Sequence, residues 1–238
     1  MSRRAVILAG GIGTRLRPYT VVLPKPLMPI GEYPILEVII RQLVRQGFTH
    51  VTLAVNHQAN ILKAFFEDGG RWGVHIDYSL EKKPISTIAP LSLIRDLPEN
   101  FLLMNGDVLT DLDLAGFLQV HTDRARLFTI AAAPRLQVID YGVLEIDAAK
   151  RLTGFCEKPQ NRYLVSMGIY AVNRRILQFV PPDSKYGFDD LMKDLLEQNE
   201  PVSVEPYEGY WLDIGRPDDY LLAVDEFEQR RSQFLPPE

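Results

Sequence analysis

An apolar strand that runs directly into glycines and cations constrains this 238-residue chain more than any other feature. Ala5–Leu8 (AVIL) is followed by Gly10-Gly11-Ile12-Gly13. Arg15, Arg17 and Lys25 then come within a proline-punctuated run that ends at Pro29. A buried strand opening into a glycine-rich loop leaves backbone N–H groups bare, and such a loop suits an anion. Fixed cations alongside it make phosphate the expected anion. A plain surface turn would need neither three cations nor two prolines around one of them.

The net charge of −5 and sequence pI of about 5.5 argue against a nucleic-acid partner, so a phosphate must be held by a local positive site. Hydrophobic content of 46% with 24% charged residues is ordinary for a globular protein. Cys156 is the single cysteine, which excludes an intramolecular disulfide and fits a reducing compartment. Met1-Ser2-Arg3-Arg4 leads into the first strand without a leader-like apolar stretch, and no run approaches bilayer length. The expected location is cytoplasmic, with no membrane partner.

The spacing of Ile35, Leu36, Ile39, Ile40, Leu43 and Val44 predicts a helix over Pro34–Gln46, ended by Gly47. Val51–Val55 reads as the next buried strand, Ile61–Phe66 as a helix core and Val74–Leu80 as a strand. Thr87–Ile94 reads as helical with an interruption at Pro90, and Phe101–Met104 as a strand that stops at Asn105-Gly106-Asp107. Short strands follow at Phe128–Ala132, Gly142–Ile146, Leu152–Cys156 and Leu164–Val172. Helices return at Phe188–Gln198 and Pro217–Arg231. The expected fold is α/β: a Rossmann-like, doubly wound mixed sheet with helices on both faces and a small antiparallel extension over the crevice. One domain is expected over 1–238, with a first part to about 125, a second over about 126–220 and a C-terminal helix over about 217–231. Ligands in such sheets bind beyond the carboxyl ends of the strands, so the glycine loop and Asp107 should share one crevice.

A carboxylate at the end of a buried strand asks for a partner, and a divalent metal at a phosphate site can supply one. Asp107 is therefore a candidate metal ligand, with a self-capping turn aspartate as the alternative. Asp213, within Trp211-Leu212-Asp213-Ile214-Gly215-Arg216-Pro217, is the candidate second ligand, with backbone amides as alternative partners. Lys158, in Glu157-Lys158-Pro159, is a candidate phosphate ligand, and Glu157 could accept sugar hydroxyls. Asp113 reads as a helix N-cap, and both it and Asp111 are left outside the site.

The run GGIGTRLRPYTVVLPKPLMPIGEYPIL resembles the signature of the sugar-phosphate nucleotidylyltransferases, also called NDP-sugar pyrophosphorylases. Asn105-Gly106-Asp107, Tyr141-Gly142, Glu157-Lys158-Pro159, Met167-Gly168-Ile169-Tyr170 and Trp211–Gly215 follow in that family's order, over Ala5 to Tyr220. The resemblance implies that a nucleoside triphosphate and a sugar 1-phosphate give an NDP-sugar and pyrophosphate, with Mg²⁺. It places Arg15 and Lys25 as catalytic residues on the triphosphate and Asp107 with Asp213 on the metal. Leu8, Ala9, Gly10, Gly11, Gly13, Thr14, Ser86, Asn105 and Gly106 would bind the nucleotide. Lys158 would take the sugar phosphate, and Gly142, Glu157 and Gly168 would line the sugar pocket. The family usually carries Pro-Leu-Gly-Thr-Ala-Gly before the Asp107 strand. Here Pro84–Pro90 reads PISTIAP, so Ser86, Ile88 and Ala89 should each add side-chain bulk near the base.

The overall pattern most resembles guanylyltransferases acting on mannose or heptose 1-phosphate, which implies GTP. Thymidylyl, uridylyl and cytidylyl transfer to a hexose 1-phosphate remain alternatives, as does a non-catalytic NDP-sugar-binding regulator. A dehydrogenase fits poorly because Leu16 stands where its third glycine belongs, and a Walker kinase is excluded because no GK[ST] follows the loop. Assembly into a homodimer is left open.

Overall fold

The computed structural model describes residues 3–11, 13–56, 58–81 and 83–235. Ile12 of the glycine loop and the Pro236-Pro237-Glu238 end lie outside the described residues. From β1 (Arg3–Leu8) the chain makes three 3₁₀ turns to the hairpin β2 (Pro29–Ile30) and β3 (Tyr33–Pro34). It continues through α1 (Ile35–Arg45), β4 (Phe48–Val55), α2 (Ala59–Phe66), β5 (His75–Leu80), β6 (Asn100–Asn105), β7 (Val108–Thr110) and α3 (Leu114–Asp123). The second half adds β8 (Phe128–Val138), β9 (Val143–Ile146), β10 (Leu152–Cys156) and β11 (Gln160–Asn173). It ends with α4 (Phe188–Glu197), β12 (Val202–Pro206), β13 (Trp211–Asp213) and α5 (Pro217–Phe234).

Seven strands form one sheet in the order β12-β8-β11-β6-β1-β4-β5. β5, β4, β1 and β6 are parallel, whereas β11 runs antiparallel between β6 and β8. The chain moves outward from β1 to β4 and β5, then returns to the other side of β1 with β6. Connections leave in opposite directions at that point, so a crevice opens at the carboxyl ends of β1 and β6.

Both faces of the sheet are covered. Ala5, Ile7, Leu102, Met104, Ile169 and Ala171 belong to one core, with side chains from α1, α2, α3 and α5. The alternate residues Val6, Phe101, Leu103, Tyr170 and Val172 belong to a second, with Ile88–Leu97 and α4. Strands buried on both sides read as unbroken apolar runs, which is why they are visible in sequence.

Four elements differ from expectation. Thr87–Ile94 forms a 3₁₀ segment at Ala89–Leu93, with Pro90 near its start, in place of an α-helix. β8 and β11 are longer than expected because their outer residues pair with each other, Gln160 opposite Val138 through Val165 opposite Ala133. β12 (VSVEP) was not anticipated: it is a half-polar edge strand that pairs with β8.

α5 brings the chain back over the first core. Phe227 is fully buried and stacks on Phe234 with centroids 6.0 Å apart, while Tyr210 meets Phe234 edge-on at 5.1 Å. Phe227→Ala is expected to destabilise the protein by about 3–5 kcal/mol, seen as a lowered urea midpoint.

Candidate active site

The end of β1 is pinned between its neighbours. Leu8 lies opposite Asn105, the amide of Gly106 donates to the Leu8 carbonyl (3.1 Å), and the amide of Ala9 donates to Ala54 (2.9 Å). Leu8, Ala9, Asn105 and Gly106 therefore meet at one edge of the crevice. Beyond them the chain turns at Gly13, whose φ of +65° is strained for residues with a Cβ. A Cβ there would also lie 2.9 Å from Thr20 Cγ2. The Gly13 carbonyl accepts from Thr20 Oγ1 (2.7 Å) and from the amide of Leu16 (2.9 Å), which closes the 3₁₀ turn Thr14–Leu16. Leu16 is buried and anchors the turn, while Arg15 beside it stays exposed.

The two candidate metal ligands are brought together by a two-stranded pair that sequence periodicity does not reveal. β13 runs antiparallel to β7 with Asp213 opposite Val108, and the amide of Ile214 donates to the carbonyl of Asp107 (3.0 Å). The carboxylates are close enough to act on each other. Burial pushes the Asp213 carboxyl above its ordinary pKa, the negative charge of Asp107 adds to this, and Lys25 and Arg15 oppose it. Lys25 is buried and ion-paired with Asp107. A Cβ on Gly215 would lie 3.4 Å from either terminal nitrogen of Arg15, which places that guanidinium over the Asp213–Gly215 backbone. Asp107, Asp213, Arg15 and Lys25 thus form one cluster. Two neighbouring carboxylates are a hard-oxygen donor set, and that chemistry fits a divalent cation.

Other candidates lie further out. Gly168 (φ +71°) sits over Asn105, since a Cβ on it would be 2.5 Å from Asn105 Nδ2, and Trp211 Nε1 donates to the neighbouring Met167 carbonyl (2.9 Å). Gly142 lies beside Glu157, whose Oε2 would be 3.1 Å from a Cβ there. Glu157 and Lys158 are exposed, just after the β9–β10 ribbon. Asp111 and Asp113 have structural partners. Asp111 Oδ1 accepts from Tyr207 Oη (2.5 Å) and the Tyr210 amide (2.8 Å), and Asp113 caps α3 through the Gly116 amide (2.8 Å).

The bulk added in Pro84–Pro90 is directed inward. Ile88 and Ala89 are buried, with both amides donating to the Tyr186 carbonyl. Ser86 keeps a φ of +77°, the conformation glycine would favour, and its Oγ faces Gly187 at the start of α4. The three side chains fill space between this loop and α4.

Two features escaped the sequence reading. Arg15, Arg135, Trp211, Asp213, Arg216 and Asp219 line a cavity of about 230 Å³, so Arg135 and Arg216 add two cations to the site. Single arginines on an exposed strand and after Gly215 carry no spacing signal. Glu81, half-buried after β5, lies against the glycine loop: its Oε1 would be 3.2 Å from a Cβ on Gly10. Burial raises the Glu81 carboxyl above its usual range, while a weak bond from the Ile85 amide (3.4 Å) opposes this.

Residues 4–230 match the nucleotidyl transferase family model. The chain belongs to that family. It is 31% identical over 241 residues to a UTP–glucose-1-phosphate uridylyltransferase of Synechocystis, covering 93% of this chain and 62% of the relative. It is 33% identical over 231 residues to mannose-1-phosphate guanyltransferase beta-B of Xenopus laevis, covering 93% of this chain and 63% of the relative. The chain therefore spans somewhat under two thirds of the length of these relatives. HddC from Yersinia pseudotuberculosis, solved as a complex with GMP-PN, superposes with a TM-score of 0.71 at 25% identity, covering 94% of this chain and 99% of that one.

The raised pKa of Asp213 has a stability consequence. Above the folded-state pKa the ionised carboxylate costs stability, and below the unfolded-state pKa that cost is absent. Asp213→Asn should therefore raise the Tm at neutral pH. Calorimetry across pH should show the gain shrinking as the pH falls through the carboxylate range.

Proposed function

We propose that this chain transfers a nucleotidyl group from a nucleoside triphosphate to a sugar 1-phosphate, releasing pyrophosphate and forming an NDP-sugar. The observation that carries this reading is the cluster of Asp107, Asp213, Arg15 and Lys25 at the mouth of the glycine loop. A sugar-phosphate oxygen attacks the α-phosphorus, and the bond from that phosphorus to the bridging oxygen of pyrophosphate breaks. The attacking oxygen is already ionised at neutral pH, so the protein need supply no base. Alignment and charge neutralisation remain as the protein's tasks, which suits a site of Arg, Lys and Asp.

In this reading the nucleotide lies along Leu8–Gly11, Gly13, Thr14, Ser86, Asn105 and Gly106. Arg15 neutralises charge that develops on the α-phosphate and the leaving pyrophosphate. Lys25 contacts the triphosphate and, through its ion pair, orients Asp107. Asp107 and Asp213 would hold Mg²⁺, which supplies further charge neutralisation between the phosphate oxygens. Arg135 and Arg216 extend the positive wall toward the sugar phosphate, with Lys158 as its outer ligand. Gly142, Glu157 and Gly168 line the sugar side. The nucleotide part runs to about residue 125 and the sugar part from about 126.

GTP is the favoured donor, with mannose or heptose 1-phosphate as acceptor. The guanyltransferase relative and the GMP-PN complex of a structural neighbour support this. Glu81 supports it independently. A carboxylate beside the loop can accept from both N1–H and the 2-amino group of guanine, whereas uracil and thymine offer it a single N–H flanked by carbonyls.

The decisive assay sets several nucleoside triphosphates against several sugar 1-phosphates with Mg²⁺ and reads pyrophosphate release. Highest turnover is expected with GTP, and no turnover with any pair overturns the proposal. Arg15→Ala should lower kcat by on the order of 10³ with an unchanged circular dichroism spectrum. Glu81→Gln should narrow the GTP-over-UTP ratio of kcat/KM by about tenfold or more.

A further inference from the structure

A second group of ligand-type side chains lies at the opposite end of the sheet from the crevice. The parallel pairing of β4 and β5 sets His50 directly beside His75, and Asp77 stands two residues along β5 on the same face. The two imidazole rings lie 4.8 Å apart at 62°, and His50 Nε2 is 2.9 Å from Asp77 Oδ2. One ligand atom from each of the three residues falls within 4.8 Å of the others.

The surroundings favour a cation there. Arg4, buried beneath the group, donates to Asp77 Oδ2 (3.1 Å) and pairs with Asp96 (3.0 Å). One fixed positive charge thus faces two carboxylates, leaving the local balance at −1 before the histidines are counted. The second oxygen of Asp77, Oδ1, is buried and has no hydrogen-bond partner among the described residues, which is uncommon for a carboxylate oxygen. The Arg4–Asp77 contact has the form usual behind a ligating carboxylate, where an outer hydrogen bond fixes its orientation.

We propose that His50, His75 and Asp77 form a binding site for a divalent transition-metal ion of the zinc class, separate from the carboxylate pair Asp107 and Asp213. Two imidazole nitrogens and one carboxylate oxygen select Zn²⁺, Ni²⁺, Co²⁺ or Cu²⁺ over Mg²⁺, which prefers an all-oxygen shell. With metal–ligand bonds of about 2.0–2.1 Å, adjacent ligand atoms sit about 2.9 Å apart in an octahedron and about 3.4 Å apart in a tetrahedron. The His50–Asp77 spacing already has the shorter value. His75 is exposed, and rotation of its side chain brings the third ligand in. Water fills the remaining positions. Among the described residues β5 is the last strand of the sheet, beside β4, so the ion fastens the sheet edge.

The test uses the full chain in excess Mg²⁺, which occupies the carboxylate pair, and titrates Zn²⁺ in competition with a chromophoric chelator. One equivalent should bind, and His75→Ala should weaken it by about tenfold or more. Cu²⁺ in place of Zn²⁺ should show two imidazole nitrogens by electron paramagnetic resonance, falling to one in His75→Ala. Zn²⁺ should raise the Tm of the parent chain by more than that of His75→Ala at the same concentration. Absence of one-equivalent binding, unaltered affinity in His75→Ala, or a nitrogen signature that survives the substitution would each overturn the assignment. Pyrophosphate release plays no part in these readouts, so their outcome is independent of the proposed transferase activity.

Discussion

The site depends on a short antiparallel pairing that sits outside the main sheet. β7 and β13 are three residues each and lie about a hundred positions apart in sequence. The bond from the Ile214 amide to the Asp107 carbonyl extends their register and brings two carboxylates within electrostatic reach of each other. Like charges in a partly buried place repel, and Lys25 and Arg15 offset this from either side. Residues near the contact reinforce it: Thr110 Oγ1 donates to the Tyr210 carbonyl, and Asp111 takes Tyr207 and the Tyr210 amide. α5 begins just beyond Gly215 and clamps the pair through Phe227 and Phe234. The proximity of the two carboxylates is thus sustained by packing some distance from them.

The two ends of the sheet carry different chemistry. At the carboxyl ends of β1 and β6, glycines, cations and hard-oxygen donors converge, as the reversal of strand order demands. At the amino ends of β4 and β5, imidazoles converge because parallel strands in register stack His50 on His75. Between them lie two apolar cores, one on each face of the sheet.

Much of the fold was readable from residue order. The apolar runs at Val51–Val55 and Phe101–Met104 could only be strands covered on both faces, and the spacing within Ile35–Val44 could only be an amphipathic helix. Asp113 was legible as a cap because an aspartate before an apolar helical run has a local role. β12 was not legible, since Val202–Pro206 is half polar and gains its strand character from β8 alone. The bulk of Ile88 and Ala89 was misjudged as crowding the crevice, because sequence shows that a side chain is larger without showing which way it points. Both are buried against α4 and its approach.

By itself the sequence determined that glycines and cations follow the first strand, how strands and helices alternate, and which residue types are available to a site. Those properties are local: glycines free a backbone, prolines punctuate it, and charge type follows from the side chain. Tertiary structure alone decided which charges meet. It set Lys25 on Asp107 and Asp213 beside them, and it lined the same cavity with Arg135 and Arg216. It also brought Glu81 to Gly10 and His50 to His75. Coulomb energy and metal affinity depend on distances of a few ångströms between residues far apart in the chain, and only the closed sheet sets those distances.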